Sequence, residues 1–128
     1  MTRSVSVYPN GDPKEIVTYQ RGQIEGTRQT FYSGGVPKSI EEWSEGNQDG
    51  VTILFQNGEK IAQIPYINGK KQGIEQRFRS GKLTEEIAWE NDERHGPTYL
   101  FIGDQEATQW YFQGHHVSKA SYDRLVTR

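Results

Sequence analysis

The chain contains no cysteine, which excludes disulfides, thiolate metal sites and a cysteine nucleophile. It has no apolar run of about 18 residues, so no transmembrane helix is expected. Residues 1–9 lack the apolar core of a secretory signal, and the cytosol (a cytoplasmic location) is taken as the default compartment. An excess of charge of one sign is missing too: 15 Lys and Arg stand against 17 Asp and Glu, a formal net charge of -2. That balance gives no bulk attraction to nucleic acid or to an anionic membrane, so neither is expected as a partner. Hydrophobic residues are scarce at 32%, too few for a thick core. Fifteen aromatics and the low net charge still place the 128 residues among folded single domains.

Glycine is abundant, with 14 against 5 prolines, and it is periodic. Gly11, Gly35, Gly58 and Gly81 are separated by 24, 23 and 23 residues, with Asp104 at the next step. A second series runs Gly22, Gly46, Gly69, Asp92, Gly114, and a third Gly26, Gly50, Gly73, Gly96. Aromatics keep the same phase: Tyr8, Tyr32, Phe55, Phe78 and Phe101 form one column, and Tyr19, Trp43, Tyr66, Trp89 and Tyr111 another. A one-residue insertion near Phe31-Tyr32 accounts for the step of 24. A one-residue deletion between Asp104 and Tyr111 keeps the last unit in phase. The chain is therefore one repeat domain, with units at about 4–26, 27–50, 51–73, 74–96 and 97–118 and a tail at 119–128.

Each unit reads as a β-hairpin. Val51-Thr52-Ile53-Leu54-Phe55 is β-rich, Asn57-Gly58 turns, residues 60–66 return, and Asn68-Gly69 turns again. Short turns make successive strands antiparallel neighbours, so the expected fold is all-β, an elongated meander of about ten strands. The third glycine series is expected to leave slots in which a neighbouring aromatic ring lies over the backbone. In the tail, Ser118 is a candidate N-cap, and Tyr122, Leu125 and Val126 share a helical face, which favours a short capping helix over a sixth strand pair.

These residues carry a resemblance. Phe55-Gln56-Asn57-Gly58 followed by Tyr66-Ile67-Asn68-Gly69-Lys70-Lys71-Gln72-Gly73 is similar to the aromatic-x-x-Gly and aromatic-x-(Asn/Asp)-Gly-x-x-x-Gly pattern of MORN repeats. It is closer to variant forms common in bacteria than to those with Tyr-x-Gly-x-Trp at the centre. The resemblance spans about residues 4–118. It implies a β-meander used for protein contact, self-association or lipid-headgroup binding, and in bacteria an immunity or antitoxin-type protein that neutralises a toxin by binding it. Ile102-Gly103-Asp104, Asp92 and Ser118 depart from the pattern, as units near the end of an array do.

Chemistry is sparse. His95, His115 and His116, with Asp92 and Glu93 nearby, are the best raw material for a metal, and they read as solvated loop residues; no metal or cofactor is expected. Glu41 and Glu42 are adjacent on a strand and point to opposite faces, so they do not converge as an acid–base pair. No nucleophile elbow or phosphate loop occurs, and no enzyme is expected.

The function expected is protein binding, with a cognate toxin as the narrower version and a homodimer or peripheral lipid binding as alternatives. Residues 41–50 hold four acids and no base, whereas Lys70, Lys71, Arg77, Arg79 and Lys82 follow with only Glu75 among them. The candidate partner-binding residues are Trp43, Trp89 and Trp110 as anchors and Glu41, Glu42 and Glu45 as an acidic rim. Trp110 stands out because Tyr111 already fills the aromatic column, so the tryptophan faces the other way.

Overall fold

Paired positive-φ residues set the hairpins. Asn57 and Gly58 have φ of 53° and 79°, Asn68 and Gly69 50° and 83°, and Asn91 and Asp92 49° and 68°. Two successive left-handed residues give the turn whose twist matches that of the flanking strands. The computed structural model describes residues 1–127; Arg128, the last residue of the predicted tail, lies outside the described residues. The strands are β1 (Thr2–Val7), β2 (Pro13–Gln20), β3 (Gln23–Phe31), β4 (Pro37–Ser44), β5 (Asn47–Gln48), β6 (Gly50–Gln56) and β7 (Glu59–Ile67). They continue as β8 (Lys70–Lys71), β9 (Gly73–Arg79), β10 (Lys82–Glu90), β11 (Glu93–Ile102), β12 (Gln105–Phe112) and β13 (His115–Val117), followed by α1 (Lys119–Val126).

All thirteen strands form one antiparallel sheet in the order β1-β2-β3-β4-β6-β7-β9-β10-β11-β12-β13, with β5 on β4 and β8 on β7. Two long strands are split in two, and β13 adds a rung beyond the expected ten. The expected meander is therefore the observed fold, about 48 Å along the stacking direction. The predicted helix is present too, and Ser118 caps it by accepting from the Ser121 amide at 3.1 Å.

The splits have one cause. Near Gly26, Gly50, Gly73 and Gly96, all at positive φ, the pairing slips and extra residues bulge out. Each of these glycines pairs directly with an aromatic of the second column on the neighbouring strand, Gly26 with Trp43, Gly50 with Tyr66, Gly73 with Trp89 and Gly96 with Tyr111, in line with the slot expectation. On the side where a Cβ would project, a methyl group on Gly26 or Gly50 would meet the side chain of Thr18 or Glu42, one on Gly73 that of Pro65, and one on Gly96 those of Ala88 and Tyr122.

A second bulge lies in the returning strand of each of the first four units, where the register shifts past Lys14, Lys38, Ile61 and Thr84. The pairing of β11 with β12 runs without a shift, so the one-residue deletion of unit five is the missing bulge. The insertion is a hairpin loop. Tyr8 pairs with Asp12 and Tyr32 with Val36 around three-residue turns, where later hairpins have two. This corrects the first aromatic column: Phe31, not Tyr32, aligns with Phe55, and Tyr8 and Tyr32 stand at the hairpin tips. Their hydroxyls donate to the carbonyls of Phe31 and Phe55, each in the next unit.

The two faces differ. Val17, Ala62, Ile64 and Ile87 are at most 4% exposed, and Ser39, Glu41, Thr52, Glu75 and Thr98 are buried with them. Pairings such as Thr52 with Ile64 and Glu75 with Ile87 place all of these on one face. Full burial without a second layer requires the sheet to curl towards that face, and the bulges supply the extra twist. The other face carries Val5, Ile16, Ile40, Ile53 and Ile74. The main contact outside strand pairing is that of α1 with β12.

Candidate interaction surfaces

The inward face is tied together by two charged clusters. Arg28 on β3 reaches Glu15 on β2 at 2.8 Å and Glu41 on β4 at 3.0 Å. Burial pulls the Arg28 guanidinium down, but its hydrogen bonds and the charges of Glu15 and Glu41 outweigh that and raise it above its ordinary value. Glu41 also accepts from Trp43 Nε1 at 2.8 Å. Two units further on, Glu75 is 1% exposed, pairs with Arg77 at 2.6 Å and Lys71 at 3.7 Å, and accepts from Trp89 Nε1 at 2.9 Å. Lys71 Nζ lies 4.4 Å from the Trp89 ring centroid. Between the clusters, burial first and the charges of Glu75, Asp92 and Glu41 next raise the Tyr66 phenol.

This geometry redistributes the predicted site. Trp43 and Trp89 face inward with their indole N–H groups already committed, and Glu41 is buried in an ion pair, so these three hold the sheet together and offer no open rim. Glu42 does point to the opposite face, where it is exposed and accepts from the Val51 amide at 3.1 Å. Glu45 is exposed in a turn at φ 50°. Trp110 does alternate to the outer face, but α1 covers it: the Tyr122 ring lies 4.8 Å away and Lys119 Nζ 5.5 Å from the centroid. The carboxylate rim is thereby reduced to Glu42 and Glu45, which lie apart on a face and an edge.

The histidines divide as well. His115 and His116 are exposed in β13, whereas His95 is half-buried in β11, against the solvated-loop expectation. Its ring packs 5.1 Å from Phe112 and 5.8 Å from Tyr122. Among the described residues no three His, Asp or Glu side chains converge as a metal-binding group, and no helix is long and apolar enough to cross a membrane.

Sequence reasoning missed the hairpin-tip edge. Open clefts of about 490 and 480 Å³ lie between successive tips, the first beside Tyr32 and Val36, the second beside Ile61 and Phe78, and one of about 370 Å³ follows beside Phe101. The available signal was a lysine shortly after each of the first three turns, at Lys14, Lys38 and Lys60. No family model matches the chain, and no curated protein matches it significantly.

Proposed function

We propose that the chain is a non-catalytic protein-binding repeat module. The observation that supports this is the division of labour between the faces: the buried acids and the Trp43 and Trp89 indoles of the inner face are paired with one another or with Arg28 and Arg77, while the outer face keeps apolar side chains such as Ile74, 53% exposed, in the open. An elongated one-layer sheet offers a partner protein a broad surface and offers a small substrate little enclosure. The resemblance to variant MORN repeats supports a narrower version, in which the partner is a toxin whose working surface the array occludes. The test is co-purification of the full chain with the product of the neighbouring gene. Stoichiometric complex that Ile74→Lys weakens about tenfold or more supports the reading. A neighbour that neither binds nor is neutralised removes the toxin version, and binding indifferent to Ile74→Lys removes the outer face.

A second reading, self-association, is favoured by β1, whose six residues are all exposed and whose outer edge pairs with no described residue. Light scattering after size-exclusion chromatography decides it: a dimer that Val5→Pro disrupts supports it, and a monomer at all concentrations ends it.

A further inference from the structure

Two groups of cations differ in their surroundings. Arg28, Lys71 and Arg77 on the inner face are each paired with a carboxylate. Lys14, Lys38, Lys60, Arg79 and Lys82, along the hairpin-tip edge, are exposed and form no ion pair among the described residues. Several stand against rings instead: Lys14 lies 5.8 Å from the Tyr8 centroid, Lys38 5.6 Å from that of Tyr32, and Lys60 4.6 Å from that of Phe78. The clefts between the tips place an apolar wall next to these cations, with Phe78 and Arg79 in one, and Phe101, Arg79 and Lys82 in the next.

We infer that this edge is a docking track for an extended acidic peptide of the partner, with carboxylates about three residues apart. The inference rests on the protein-binding reading. Its physical basis is a match of spacings. Tips recur every second strand, about 10 Å apart, and three residues of extended chain span about the same distance. A carboxylate at every third residue meets one cation per tip, while the side chains between enter the clefts against Phe78 and Phe101. Free cations lose little on meeting such a peptide, because no internal ion pair has to be broken first.

The same edge disfavours a polyphosphate. Glu59 and Asp104 line the clefts beside Arg79, so an unbroken row of anionic charge meets repulsion at two of the tips. A peptide with spaced carboxylates passes those acids with neutral residues. Asp104 and Glu106 in unit five end the basic run, which confines the track to units one to four.

The test is fluorescence anisotropy of the full chain with a labelled peptide of about twelve residues, enough to cross three tips, carrying Glu at every third position and Leu or Ala between. The comparison peptide has the same composition with its Glu residues contiguous, and a single-stranded oligonucleotide of equal charge is the third probe. The spaced peptide is expected to bind about tenfold or more tightly than either, with affinity falling as salt rises. Lys60→Glu with Arg79→Glu should weaken it about tenfold or more, and Lys70→Glu, an exposed charge reversal at the opposite ends of the strands, should leave it unchanged. Lys14→Glu with Lys38→Glu gives the same reading if the first pair does not fold. Equal binding of the two peptides, indifference to both charge reversals, or tighter binding of the oligonucleotide overturns the inference. If the peptide fails while an Ile74-dependent protein partner is still retained, the track falls and the protein-binding reading stands. If both fail, both fall.

Discussion

His95 Nδ1 accepts a hydrogen bond of 3.1 Å from the backbone N–H of Gln113, which ties the fourth unit to the fifth. The same place in earlier units is filled by Asp49, accepting from the Asn68 amide at 3.4 Å, and by Gln72, accepting from Asn91 at 2.9 Å. Three different side chains serve because the turn needs only an acceptor there. Next to this link, the amides of Gly46, Gly69, Asp92 and Gly114 donate to the carbonyls of Ile24, Gln48, Lys71 and Arg94, a backbone ladder along the whole edge.

His95→Ala is therefore expected to cost about 1 kcal/mol, the usual scale for one such hydrogen bond, while His95→Gln keeps most of it. His115→Ala and His116→Ala should stay within about 0.5 kcal/mol. Urea melts of the four variants check this; equal behaviour of all four would remove the linking role.

Glu75→Ala should destabilise by about 2 to 3 kcal/mol, because it strands the Trp89 indole N–H and the neighbouring Arg77 and Lys71 charges, the last two partly relieved by solvent. Glu75→Gln keeps an acceptor for Trp89 and should fall between. Denaturation midpoints, followed by Trp fluorescence, rank the three proteins.

Gly50 and Gly58 separate two costs of replacing glycine. Both are at positive φ, 113° and 79°, but a Cβ on Gly58 meets nothing within 4 Å, whereas one on Gly50 lies 2.7 Å from Glu42 Oε2 and 3.0 Å from its Cβ. Gly58→Ala is expected to cost about 1 kcal/mol from backbone strain alone, and Gly50→Ala clearly more. Combining Gly50→Ala with Glu42→Ala should recover part of the difference in a thermal melt.

Trp110→Ala should release α1 before it unfolds the sheet, since Tyr122 packs on that ring and the helix has no fully buried residue of its own. The expected signature is faster amide exchange in residues 119–126, with the protection of β6 and β7 unchanged. Loss of protection throughout would place Trp110 in the core instead.

Tyr66 supplies an alkaline dependence. Its phenol is raised from the ordinary value of 10.0, so the folded state holds the neutral form more tightly than the unfolded chain does. That contribution is fully present below about pH 10 and is lost as pH rises through the folded value. The melting temperature of Tyr66→Phe should therefore decline less steeply than that of the unaltered protein above pH 10; parallel declines would assign the loss to other groups.

By itself, the sequence determined the architecture: three glycine series and two aromatic columns in one phase dictate hairpins at fixed intervals, because left-handed turns and β-rich runs are local properties of a few adjacent residues. It also marked the two places where the period slips. What those slips are, a longer loop at Tyr32–Val36 and a bulge absent before Tyr111, is settled only by pairing between strands. Tertiary structure alone decided the roles of the tryptophans and acids. Trp43, Trp89 and Glu41 carry the signature of an exposed anchor and rim, yet the curl of the sheet turns them inward onto Arg28, Glu75 and one another. The direction of curl depends on the twist summed over all the strands and their bulges, and no single unit specifies it.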